Sequence, residues 1–110
     1  MSSLLTEAGA SVVKTLAPYR QQLDLINQQM VDLLAQRMEI CRTIAEVKFS
    51  HDIPMMQPQR VTNTLDTVRA LGASRQLRPD YLDKLFTVII EETCDEEQRL
   101  MDSLSLSCGE

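Results

Sequence analysis

At 110 residues the chain is sized for one domain, and its net charge of −5 argues against nucleic acid or an anionic membrane surface as partner. Three glycines, four prolines and no Trp leave few turns, which favours a few long helices over many short strands. Cys41, Cys94 and Cys108 are odd in number and widely spaced, so a reduced, cytoplasmic protein is expected rather than a disulfide scaffold. The start, MSSLLTEAGASVV, has no basic region before its apolar run, and no stretch approaches the ~20 apolar residues that span a bilayer.

Residues 1–15 are weakly patterned and are expected to be a flexible lead-in to a single domain over 16–102. The first predicted helix runs from Leu16 to Phe49. Its apolar residues, Leu16, Leu23, Ile26, Met30, Leu33, Leu34, Ile40, Ile44 and Val47, recur every three or four positions. Pro18 suits its first turn, where no intrahelical N–H is needed. A helix of roughly 50 Å is too long to be covered by the rest of the chain, so a helix from a second subunit is the expected cover.

The segment Ser50-His51-Asp52-Ile53-Pro54 breaks the pattern. Pro58 opens a second helix with the apolar set Val61, Leu65, Val68 and Leu71, and Gly72 is expected as its C-cap. Pro79 and Asp80 open a third, with Asp80 and Asp83 complementing the dipole of its first turn. Its stripe is Leu82, Leu85, Phe86, Ile89, Ile90, Thr93, Glu97 and Leu100, and residues 103–110 read as a flexible polar tail. No alternation is long enough for a sheet, so the expected fold class is all-α with three helices.

The common catalytic constellations are missing. The single histidine, His51, falls in a break between helices, which disfavours a His-rich metal site or a Ser-His-Asp triad. There is no glycine-rich phosphate loop, and neither metal nor cofactor is expected. Cys41 lies on the apolar side of the first helix and is expected to fill core rather than act as a nucleophile. What remains is a set of cations on or beside apolar stripes: Arg20, Arg37, Lys48 and Arg60. One such cation ordinarily covers apolar surface with its stem and meets water with its head. Four together point to a pocket for a multiply charged anion. On a straight helix Arg37 and Lys48 return to within roughly 20° of one direction. A reaction in such a pocket would rest on placement and charge stabilisation. Arg20 lies about 25 Å from Arg37 along the helix. In an antiparallel dimer it could instead reach the partner's pocket, which gives two equivalent composite sites.

The order Arg20, then LLAQRMEI around Arg37, then Lys48, then Arg60, then LFTVIIEET ending at Thr93, resembles the all-helical chorismate mutase family. The resemblance covers about Leu16 to Leu100. It implies an intertwined homodimer of three-helix chains and an isomerase that performs the Claisen rearrangement of chorismate to prephenate. Carried over residue by residue, Arg37 and the partner's Arg20 would hold the two substrate carboxylates. Lys48 would donate to the ether oxygen and a carboxylate oxygen. Arg60 matches an arginine near the site, and Thr93 a small hydroxyl position near the carboxylate.

Three positions depart from the family's common pattern. Glu97 stands where many members have Gln, and must carry a proton to donate to the ether oxygen; the plainer alternative is that it faces water within the acidic run EETCDEE. Val61 replaces a glutamate that bonds the C4 hydroxyl, and Gln57 replaces a frequent aspartate. The stretch IPMMQPQRV, with EETC and Glu97, resembles relatives acting on 4-amino-4-deoxychorismate in aminophenylalanine-type antibiotic pathways. The Arg60-Val61 pair also resembles isochorismate-pyruvate lyases of the same fold, and a non-catalytic helical dimer module is the alternative from another class.

Overall fold

The computed structural model describes residues 2–108, with side chains from 11 to 105. Three helices follow in order: α1 over Ser2–Ser50, α2 over Pro58–Ala73 and α3 over Pro79–Cys108. No strand occurs among the described residues. By their internal contacts the residues divide into two compact units, Met1–Arg37 and Met38–Glu110, and α1 runs through the boundary.

The first unit is the leading part of α1. Helical structure begins well before Leu16, through the segment read as a lead-in, and Pro18 sits inside the helix rather than in its first turn. A proline there removes one hydrogen bond and crowds the preceding turn, at a cost of about 3 kcal/mol. Good helix formers on its N-terminal side, among them Ala8, Ala10 and Lys14, let the helix continue through it. Along this unit the apolar stripe is laid bare in the single chain: Leu23 is 57% exposed, Ile26 49%, Met30 44%, Leu33 61% and Leu34 44%.

The second unit gathers the end of α1 with α2 and α3. Its buried residues come from all three helices: Cys41 and Ala45 of α1, Gly72 of α2, and Leu82, Thr93 and Glu97 of α3. The α3 stripe read from the sequence is the face turned inward, with every member buried or half-buried. In α2, Val61, Leu65 and Val68 are half-buried, while Leu71 is 49% exposed. Arg69 of α2 hydrogen-bonds to Asp66 on its own helix and to Asp83 of α3, so Asp83 ties two helices together. Arg42 of α1 meets Glu96 of α3 at 3.6 Å, and Glu96 in turn accepts from Arg99 at 3.0 Å. These pairs are exposed and orient the helices more than they stabilise them. Helical structure in α3 continues through the first six residues of the segment read as a tail; Gly109 and Glu110 lie outside the described residues.

Both internal helix ends use the left-handed cap that glycine normally fills, but neither uses glycine. At the end of α1, Asp52 has φ 54°; Ile53 N–H bonds to Lys48 O at 2.8 Å and Asp52 N–H to Phe49 O at 3.5 Å. After α2, Gln76 has φ 60° and Leu77 N–H reaches Gly72 O at 2.9 Å. Gly72 is therefore not the C-cap that its place near the helix end suggested. It lies inside the last turn, and its bare α-carbon lets Leu82 of α3 press against it. A Cβ there would collide with Leu82 Cδ1 and approach its Cγ to 3.2 Å. Gly72→Ala is expected to lower stability by about 1–3 kcal/mol despite alanine's better helix propensity. Denaturant unfolding checks this, and an unchanged or raised midpoint would show that Leu82 can move aside.

Candidate active site

The last turn of α1 and the middle of α3 bring the key side chains together. Lys48 is half-buried at the end of α1, while Thr93 and Glu97, four residues apart on one face of α3, are buried at 8% and 5% exposure. Lys48 Nζ donates to Glu97 Oε2 at 3.4 Å and to the carbonyl of Met55, in the α1–α2 turn, at 2.8 Å. Both side chains are largely out of water, 13% exposed for Lys48 and 7% for Glu97, so this is an ion pair in a weakly screened setting. The water-facing alternative for Glu97 is excluded by its burial. Thr93 Oγ1 donates to Ile89 O at 2.8 Å, which turns the hydroxyl proton into the helix.

Cys94, next to Thr93, adds a wall to this region. Burial pushes its thiol up, the Glu97 carboxylate adds to the rise, and the Lys48 ammonium opposes it. The thiol is thereby kept protonated and a poor nucleophile. Cys94 also lines a cavity of about 480 Å³ between α2 and α3, whose walls include Met56, Val61, Leu65 and Ile90. Its charged lining residues are two acids, Glu91 and Asp95. Val61 therefore faces a space with apolar walls and negative charge.

The other residues singled out from the sequence are placed as follows. Gln57 is the N-cap of α2, with φ −123° and no side-chain capping bond, so its amide is not committed to the helix end. Arg60 lies in the first turn of α2 and is exposed, as is Gln57. Arg37, half-buried, and Arg20, exposed, both belong to the first unit. Within one unit the structure thus joins Lys48 to Glu97, with Thr93 one turn away. Cys41 is buried in the second unit and fills core. Two contributors were not anticipated. The Met55 carbonyl is backbone and has no sequence signature, whereas Cys94 could have been found from its position beside Thr93 on the inward face.

Comparison with known proteins places the chain in a family. The sequence profile described as Chorismate mutase type II matches residues 19–98. A 4-amino-4-deoxychorismate mutase of Streptomyces pristinaespiralis is 32% identical over 94 residues, 86% of this chain and 73% of its own length. A second protein of that name, from Streptomyces venezuelae, is 34% identical over 88 residues, 80% of this chain and 85% of its own. A chorismate mutase of Methanocaldococcus jannaschii is 28% identical over 80 residues, 73% of this chain and 81% of its own. The chain belongs to the chorismate mutase type II family and is an isomerase. Among the described residues, no helix is long and apolar enough to cross a membrane.

Proposed function

We propose that the chain rearranges 4-amino-4-deoxychorismate to 4-amino-4-deoxyprephenate, working as a homodimer with two shared active sites. The observation that carries the reaction type is the sequestered Lys48–Glu97 pair in a chain of this family. A Claisen rearrangement is unimolecular: the ether C–O bond breaks as a C–C bond forms, and no atom or electron is supplied from outside. The protein has to hold the compact conformer and stabilise charge growing on the ether oxygen. An ammonium has three N–H donors, of which Met55 and Glu97 take two, leaving one for that oxygen. Arg37 and the partner subunit's Arg20 would hold the two carboxylates, with Arg60 and Thr93 close to them. Gln57 and Val61 would face the C4 end of the ring.

The amino substrate is favoured over chorismate on two grounds. Two relatives at 32% and 34% identity carry that name. Val61, where a glutamate would bond a C4 hydroxyl, has no side-chain group that could hydrogen-bond one. The dimer is favoured by the apolar stripe of α1, which continues into the second unit with Ile40 62%, Ile44 42% and Val47 48% exposed. A second copy of α1, apolar at matching positions, is the cover proposed for it.

Incubating the protein with each compound, and following diene absorbance and product mass, tests the reaction and substrate together. Higher kcat/KM on the amino compound is expected. Inertness toward both would overturn the reading, and pyruvate released from isochorismate would assign the lyase activity instead.

Glu97, held against the Lys48 ammonium, would stand at the same end of the substrate as the ether oxygen.

A further inference from the structure

Lys48 is fastened to the α1–α2 turn at both ends of the residue. Its backbone carbonyl accepts the Ile53 N–H at 2.8 Å, and its side-chain Nζ donates to the Met55 carbonyl at 2.8 Å. Between those two attachments lies only Pro54, whose ring fixes φ and limits how the Met55 carbonyl can swing. The result is a ring closed by two hydrogen bonds, running from the Lys48 backbone through Ile53, Pro54 and Met55 and back to the ammonium. It can close only because the chain reverses at Asp52, which holds φ 54° in the left-handed region that side chains other than Asn, Asp and Gly strongly disfavour. The Asp52 side chain is itself exposed.

A lysine on its own is a poor aiming device, because its four-carbon stem samples many rotamers. Catalysis by a donor depends on that donor being already oriented when charge develops. Here two of the three N–H bonds are committed, one to the Met55 carbonyl and one to Glu97, and their directions fix the third. We infer that the α1–α2 turn is a clamp that aims the Lys48 ammonium, with Asp52 as its positioning residue and the Met55 carbonyl as its stop. This rests on the proposed role of Lys48 as donor to the ether oxygen. Neither the overall charge of the site nor the identity of its side chains would reveal it, since the contacts run through backbone groups.

The test compares wild type with Asp52→Asn, Asp52→Gly and Asp52→Val, reading kcat, KM, thermal unfolding and the side-chain ammonium resonance of Lys48. Asn and Gly accept the left-handed conformation, and Val does not. Wild type is expected to show a slowly exchanging Lys48 ammonium signal, and Asp52→Val to lose it and to lower kcat about tenfold with KM within about twofold. Asp52→Asn and Asp52→Gly are expected to restore both, showing that the backbone angle and not the aspartate charge matters. A purely structural turn would lower the unfolding temperature of Asp52→Val while leaving kcat and the ammonium signal intact, and that result overturns the clamp. Wild-type protein inert toward both compounds would count against the proposed reaction. The ammonium signal then decides the clamp alone, and its persistence in Asp52→Val overturns it.

Discussion

Lys48→Ala is expected to lower kcat/KM by about 10²–10³-fold, the loss typical of one well-placed donor to a developing oxyanion. The expectation follows from where the ammonium sits. It is 13% exposed, held by two acceptors, and keeps one N–H uncommitted. Water that fills the gap left by alanine cannot reproduce an oriented cation in a weakly screened site. Removing the lysine also leaves the buried Glu97 without its counter-charge, which ordinarily costs about 3–5 kcal/mol of stability. Lost activity could then reflect lost folding, so the decisive protein is the double variant Lys48→Ala with Glu97→Gln. It keeps a neutral, hydrogen-bonding group at position 97 and should unfold near the wild-type temperature. Steady-state kinetics on that folded double variant check the claim. A loss smaller than about tenfold would mean that Lys48 serves architecture rather than the ether oxygen.

Arg20→Ala should lower kcat/KM by about 10²-fold, from one charge-assisted contact to a substrate carboxylate. Arg20 is exposed on α1 of the single chain, flanked by further exposed positions, so its removal should leave the unfolding temperature close to wild type. A large kinetic effect with a small stability effect is the pattern of a binding group. Kinetics and thermal unfolding on the same preparation separate the two. An Arg20→Ala enzyme of full activity would remove this residue from the site.

How far the sequence announced this molecule depends on which signal each element carried. Pro58 and Pro79 both stand at the first helical position where they were expected, because a missing N–H is harmless there. Pro18 carries the same signal in the sequence yet sits inside the helix, since that preference does not forbid an interior proline. In the sequence Gly72 looks like a cap, because caps and close-packed α-carbons both select glycine. Only the position of Leu82 distinguishes them. The inward placement of Thr93 and Glu97 was legible in the three-and-four spacing of α3. The pairing of Glu97 with Lys48 needed the fold, because the partners are 49 residues apart. The stop at the Met55 carbonyl was beyond reach, as every residue carries such a group. The apolar stripe of α1 was legible as a dry face, and in the single chain Leu23 through Val47 remain mostly uncovered.

Subunit mixing decides whether each proposed site is completed by the partner subunit's Arg20. Arg20→Ala and Lys48→Ala homodimers should each be nearly inactive, with Glu97→Gln added to the second to preserve folding. In a mixed dimer, the chain carrying Arg20→Ala keeps its own Lys48 and Glu97 and receives a normal Arg20 from its partner. One of the two sites is then complete. Unfolding and refolding an equal mixture gives half mixed dimers, so activity should return to about a quarter of wild type. An unchanged, near-zero rate in a mixture shown by mass to contain the mixed dimer would contradict the account, because Arg20 would then act within its own chain.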